Sequence, residues 1–146
     1  MKIRRAKLED IASIESLFFS TVKEVNSKDY SKKQIDVWSS FAKINSWEII
    51  IKNQKVWVAE KNNLIIGFCS LCADGLFNYL YVHHNYQRMR VATALQEVLE
   101  KQAKNQNNKI VWARVSITAR PFFLCKGYKI SKFESFKKDG VIFKNA

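Results

Sequence analysis

Between Lys55 and Val82 three apolar stretches follow one another with short polar breaks, and no proline interrupts them. Lys55 to Glu60 and Leu64 to Cys69 are rich in β-branched and aromatic residues around the polar pair Asn62-Asn63. Asp74-Gly75 then supplies a turn before Leu76 to Val82. Such runs, bounded by turn residues, predict a three-stranded antiparallel meander over residues 55 to 82. A sheet this small exposes apolar faces that only helices can cover, so the flanking sequence has to supply them.

It does so on both sides. A short strand at Ile3 leads into Ile11, Ile14, Leu17, Phe18, Val22 and Val25 at helical spacing. Ser31-Lys32-Lys33-Gln34 has the spacing of a capping box, which predicts a second helix over roughly residues 32 to 43. After the meander, Val91, Ala94, Leu95, Val98 and Leu99 mark a third helix that ends in the polar run Asn105 to Asn108, with Glu97 and Glu100 facing outward. A strand over Ile110 to Val115, a short helix from Ala119 to Lys126 closed by Gly127, and strands over Tyr128 to Ser135 and Val141 to Phe143 complete the pattern. The order is β-α-α-β-β-β-α-β-α-β-β, an α/β (α+β) fold with a mixed central sheet of about seven strands and about four helices. The whole chain, 1–146, reads as one domain, long enough to bury a core without disulfides or metals.

Charge and cysteine usage narrow the setting. The formal net charge of +12 makes the surface attractive to anions, but its lysines are scattered rather than gathered into a stripe. No apolar run is long enough to span a bilayer and the first ten residues lack a signal peptide's core, so a cytoplasmic protein with no membrane partner is expected. Three cysteines fit free thiols in a reducing compartment. Cys69 and Cys72 spell CxxC without a second ligand pair, so buried thiols are expected and no metal site. Trp38, Trp47, Trp57 and Trp112 read as core residues, whereas Phe19 falls between the first helices without an obvious core role.

The stretch that carries chemistry is Leu80-Tyr81-Val82-His83-His84-Asn85-Tyr86-Gln87-Arg88-Met89-Arg90-Val91-Ala92-Thr93, a strand passing through a loop into a helix. The opening of that helix presents unpaired N–H groups and the positive end of a dipole, which suits a pyrophosphate. This stretch resembles the acetyl-CoA-binding motif of the GNAT (GCN5-related N-acetyltransferase) superfamily, small bacterial type. In that motif a valine ends the fourth strand and Gln/Arg-x-x-Gly-x-Gly/Ala opens the next helix. Gln87 matches the first position and Ala92 the last, while Arg90 stands where the family usually has glycine. An arginine there either crowds the phosphates or turns its guanidinium onto them.

The resemblance covers nearly the whole chain. Ser116 to Tyr128 is similar to the family's second cofactor segment, commonly Asn-x-x-Ala-x-x-Phe-Tyr-x-x-x-Gly-Phe. It implies a co-substrate site for acetyl-CoA made of Leu80, Tyr81, Val82, Gln87, Arg88, Met89, Arg90, Val91, Ala92, Thr93, Ser116, Ala119, Phe122 and Phe123. It also implies direct attack of an amine on the thioester in a ternary complex, with backbone N–H groups of the fourth strand polarising the carbonyl. Phe123 replaces the tyrosine that in many members protonates the departing thiolate, which leaves Tyr128 and Tyr81, with Tyr79, as alternative donors. Tyr128 matches a position usually aromatic and buried. Asn78 sits where related sequences often carry an acid, and Glu24, Glu48, Asp74, His83 and His84 are the other candidate bases. The acceptor is expected to be a small-molecule or peptide amine, with polycations disfavoured by the basic surface. Two rival readings stay open, a CoA-binding protein without turnover and an acetyltransferase acting on a nucleic-acid-linked amine. A homodimer is common in the family.

Overall fold

The computed structural model describes residues 1–131 and the backbone of two C-terminal strands, Glu134–Lys138 and Val141–Asn145. The chain runs β1 (Lys2–Arg5), α1 (Ile11–Glu24), α2 (Lys32–Ile44), α3 (Trp47–Asn53), β2 (Lys55–Lys61), β3 (Leu64–Leu71), β4 (Phe77–Val82), α4 (Val91–Asn105), α5 (Arg120–Cys125), β5 (Glu134–Lys138) and β6 (Val141–Asn145). β1 to β4 form an antiparallel sheet in sequence order, and β5 pairs with β6 as a separate hairpin. β6 lies against α2.

The sheet has a core on each face. On one, α1, α2 and α3 enclose Phe18, Trp47 and Phe68 with Ile14, Leu17 and Val58. On the other, α4 and the α5 segment cover Trp57, Cys69, Leu71, Leu95, Leu99 and Phe123. Gly67 permits the second packing. A Cβ there would stand 3.0 Å from Val91 Cγ1, 3.1 Å from Leu95 Cδ1 and 3.2 Å from the Tyr81 carbonyl, so its absence lets α4 sit a few tenths of an ångström closer to β3. The α1 end of the sheet is tied by a bidentate pair: Arg4 donates to Asp10 Oδ2 at 2.9 Å and Oδ1 at 3.0 Å, and again to Glu60 at 3.2 Å. The hydrogen-bonded Arg4 guanidinium holds the nearly buried Asp10 carboxyl below its ordinary pKa, against the opposing effect of burial.

Most of the sequence pattern is realised. The capping box forms as read, with the Gln34 N–H donating to Ser31 Oγ at 3.2 Å and the Ser31 N–H donating to Gln34 Oε1 at 2.9 Å. Gly127 ends the α5 segment at φ 89°. Three corrections apply. A further helix, α3, follows α2; Ser46 caps it and Trp47 anchors it in the first core, donating its indole N–H to the Ala42 carbonyl at 2.9 Å. The strand expected over Ile110 to Val115 is reduced to one parallel bridge, Leu76 with Trp112. The Trp112 N–H donates to the Gly75 carbonyl at 3.1 Å and the Phe77 N–H to the Trp112 carbonyl at 2.8 Å, after which the segment leaves β4. Tyr128 to Ser131 form no strand; β5 starts at Glu134, and the turn at Asp139-Gly140 lies outside the described residues. The sheet proper is thus antiparallel, the parallel component is the single bridge, and the α/β class holds with fewer regular strands than expected.

Candidate active site

The departure of residues 113–116 from β4 opens a cleft of about 640 Å³. One wall is β4, whose register against β3 shifts between Ser70 and Leu71, leaving Asn78 as an extra residue between Phe77 and Tyr79. That bulge switches faces: Phe77 packs in the α4 core, Tyr79 and Tyr81 in the α1 core. Beyond the Leu76 bridge the outer edge of β4 has no neighbouring strand among the described residues, so its backbone groups border the cleft.

At one end the cleft reaches the loop before α4. The Gln87 side chain folds back to donate to the Val82 carbonyl at 2.6 Å, closing the loop onto the end of β4. Arg88 and Arg90 both adopt left-handed backbone, at φ 59° and 66°. The position where the motif has glycine is therefore left-handed in this chain, and Arg90 holds that conformation at a cost of about 1 kcal/mol relative to glycine. Arg90 is also the N-cap of α4 without a side-chain cap, and the first backbone bond into the helix is Ala94 N–H to the Arg90 carbonyl at 3.0 Å. The N–H groups of Val91, Ala92 and Thr93 consequently have no intrahelical acceptor.

The opposite wall is the segment before α5. The Ser116 hydroxyl accepts the Ala119 N–H at 3.1 Å, closing the turn that leads into α5. Phe123 is buried edge-on to Phe77, with ring centroids 5.2 Å apart. Two contacts from the α1–α2 connection pin this wall: the Ile117 N–H donates to the Tyr30 hydroxyl at 2.8 Å, and the Thr118 hydroxyl to Asp29 Oδ2 at 2.9 Å. Tyr30, Trp38 and Phe41 also line the cleft, with Trp38 against Tyr81 of β4.

The structure brings together in this one cleft Leu80, Tyr81, Val82, Gln87, Arg88, Arg90, Val91, Ala92 and Thr93 from one side, and Ser116, Ala119, Phe122 and Phe123 from the other. Met89 points outward, 60% exposed, and does not line it. Of the three residues considered for catalysis, Asn78 lies at the cleft's exposed edge and donates to Gln54 Oε1 at 3.1 Å. Tyr81 lines it with its oxygen accepting the Trp38 indole N–H at 3.3 Å, and burial pushes its hydroxyl pKa well up. Tyr128 is not in the cleft: it lines a second cavity behind α5 and donates to Glu100 Oε2 at 2.8 Å, so Glu100 is not simply solvent-facing. Burial and the Glu100 carboxylate together raise the Tyr128 pKa.

None of the other bases considered reaches the cleft. Glu48 is exposed and paired with Lys52 at 2.9 Å, Glu24 is exposed at the end of α1, and Asp74 accepts the Leu76 N–H in its turn. His83 and His84 stack on each other at 4.4 Å beyond β4, where burial, then the neighbouring imidazole, lowers the His83 pKa. Tyr79 accepts from Asn45 at 3.2 Å on the helix side of the sheet. Phe19 is 44% exposed under Lys23 and takes no part. Trp47 and Trp57 are core residues as expected; Trp112 is partly exposed beneath the Arg114 guanidinium, and Trp38 lines the cleft. Trp38 is the cleft residue that its spacing assigned to packing, and Tyr30 lines the cleft without having been singled out by the sequence. Cys69 is buried with its thiol toward the Leu95 carbonyl, and burial raises its pKa far above the usual thiol range.

Residues 26–145 match the family model of the acetyltransferase (GNAT) domain, and the chain belongs to that family, whose co-substrate is acetyl-CoA. It is 30% identical over 145 residues to YafP, an uncharacterised N-acetyltransferase of Escherichia coli K12, covering 99% of this chain and 92% of that one. Among solved structures it is similar to a GCN5-related N-acetyltransferase of Rhodopseudomonas palustris, with TM-score 0.94 and 27% identity over 99% of this chain and 91% of the other. PaiA N-acetyltransferase of Thermoplasma acidophilum, solved with coenzyme A, shares the fold at TM-score 0.73 and 19% identity, over 99% and 98% of the two chains. No helix among the described residues is long and apolar enough to cross a membrane.

Proposed function

We propose that this chain, as one catalytic domain, transfers the acetyl group of acetyl-CoA to an amine by direct attack in a ternary complex. The observation that carries this is a single cleft that takes in both an uncapped helix N-terminus with two arginines and an aromatic wall of Tyr30, Trp38 and Phe41. The N–H groups at the start of α4, with Arg88 and Arg90, suit the pyrophosphate. The pantetheine arm then lies between the edge of β4 and Ala113 to Ser116, along Ala119 and Phe122. The acceptor enters from the Tyr30 and Trp38 end. No cysteine is among the described residues that line the cleft, so they offer no thiol to carry the acetyl group in two steps. Edge N–H groups of β4 are placed to receive charge developing on the thioester oxygen, and Phe123 supplies no proton, so the departing thiolate takes its proton from the nucleophile or solvent.

Calorimetric titration with acetyl-CoA and CoA tests the cofactor half of this reading, alongside Arg90→Gly. Micromolar binding by the natural chain supports it; no binding by the natural chain, restored in Arg90→Gly, identifies Arg90 as the residue that closes the site and rejects the enzyme reading. The replacement of the tyrosine by Phe123 favours one second reading, CoA binding without turnover. Binding with no thiol release for any amine is its signature.

A further inference from the structure

The cleft as a whole has a composition that chooses among amines. Among the described residues that line the cleft there is no histidine and no glutamate, and Asp29 is the single carboxylate, already accepting the Thr118 hydroxyl. Against it stand Lys28, Arg88, Arg90 and Arg114. An alkylammonium must lose a proton before it can attack a thioester, and the described residues of this cleft provide neither a base to take that proton nor a carboxylate surplus to attract the cation. A second ammonium on the same molecule is placed still worse.

The surfaces that do face the acceptor are rings. Tyr30 and Trp38 meet edge to face, with centroids 5.0 Å apart at 82°. Tyr81 is held behind Trp38 by Phe18 at 4.9 Å and stacked on Phe68 at 5.5 Å. Polar tips in this wall are engaged internally: the Trp38 indole N–H goes to the Tyr81 oxygen, and the Tyr30 oxygen receives the Ile117 N–H. What the wall presents is therefore π-faces and edges in fixed orientation, suited to a flat aromatic body.

From these observations we infer that the acceptor is an aromatic amine with its nitrogen attached to the ring. This rests on the acetyl-transfer reading above and names the substrate class of the same site. An arylamine shares its lone pair with the ring and carries no proton at neutral pH, so it needs no base before attack. Its weaker nucleophilicity is offset by positioning against the aromatic wall. In the step, the ring-bound nitrogen forms a bond to the thioester carbonyl carbon and the carbon–sulfur bond breaks, its electron pair leaving on sulfur. The proton the nitrogen gives up ends on that sulfur, directly or through water, and the products are the N-acetylated arylamine and the CoA thiol.

The test measures thiol release by the full chain with acetyl-CoA and p-toluidine, phenethylamine or spermidine, after calorimetry has established acetyl-CoA binding. The expected result is a kcat/KM for p-toluidine at least about tenfold above either alkylamine. It should also be flat from about pH 6.5 to about 8.5, where an alkylamine's rises about tenfold per pH unit. Preference for phenethylamine or spermidine overturns the inference. So does binding of acetyl-CoA with no p-toluidine-dependent thiol release. Absence of acetyl-CoA binding is a different failure, that of the acetyl-transfer reading itself. Trp38→Phe, which keeps a ring, should retain the preference, and Trp38→Leu should lose it.

Discussion

The two ends of the cleft are built by different means. At the end proposed for the phosphates the groups are mostly main chain: left-handed residues at Arg88 and Arg90, and the N–H groups opening α4, with a side-chain amide from Gln87 as the tie. At the wall proposed for the acceptor they are side chains brought from α2, the α1–α2 connection and β4, which meet only in the folded chain. A main-chain site tolerates changes of side chain but not of charge or backbone; a side-chain site is rewritten by one substitution.

The sharpest way to break this contrast is Ala92→Glu. A carboxylate within about 5 Å of the pyrophosphate repels it by about 3 kcal/mol at the effective dielectric of a protein surface, so acetyl-CoA affinity should fall at least about a hundredfold by calorimetry. A smaller loss would mean that the phosphates sit elsewhere. Arg4→Ala separates stability from either end: it strips the nearly buried Asp10 carboxylate of its partner and should cost about 2–3 kcal/mol in denaturant unfolding, with acetyl-CoA affinity unmoved. Because Arg4 lowers the folded-state pKa of Asp10, this contribution is complete above the unfolded value near 3.8 and is lost as pH falls through the folded value. The gap between natural chain and variant should therefore close in acid.

Trp38→Leu is the matching change at the acceptor end. It should raise the acceptor KM about tenfold, the cost of losing an aromatic contact, with acetyl-CoA affinity within about twofold. Arg90→Gly is expected to act mildly, gaining about 1 kcal/mol of stability by relieving the left-handed arginine while weakening acetyl-CoA binding by less than about tenfold. Equal loss at both ends for either variant would erase the distinction. Ser31→Ala is the smallest, about 1 kcal/mol in unfolding from loss of the α2 cap, with a slight rise in acceptor KM because α2 carries Trp38.

The same contrast explains what could be read from the chain alone. The stretch from Leu80 to Thr93 is continuous in sequence, so a local pattern could single it out, and all of its residues except His83, His84, Asn85 and Met89 line the cleft. The acceptor end is assembled across distance, and Trp38 at helical spacing is indistinguishable from a core residue until α2 is set against the cleft. Ile110 to Val115 has every local mark of a strand, yet strand pairing belongs to two segments, and a neighbour holds only Trp112. α3 escaped because seven residues are too few for a period to declare itself, although Ser46 marks its start. The bulge at Asn78, which decides that Tyr79 and Tyr81 face one core and Phe77 the other, follows from register with β3 and leaves no trace in the alternation of β4.

One consequence follows from the missing side chain at Gly67. The first turn of α4 rests on the sheet at that point, with Val91, Leu95 and the Tyr81 carbonyl all within 3.0 to 3.2 Å of where a methyl group would be. Gly67 is thus the seat on which the first turn of α4 is levelled, and an added atom acts as a shim between α4 and the sheet. The pitch of the helix that opens onto the cleft is in this way adjustable from inside the sheet, at a residue that does not line the cleft.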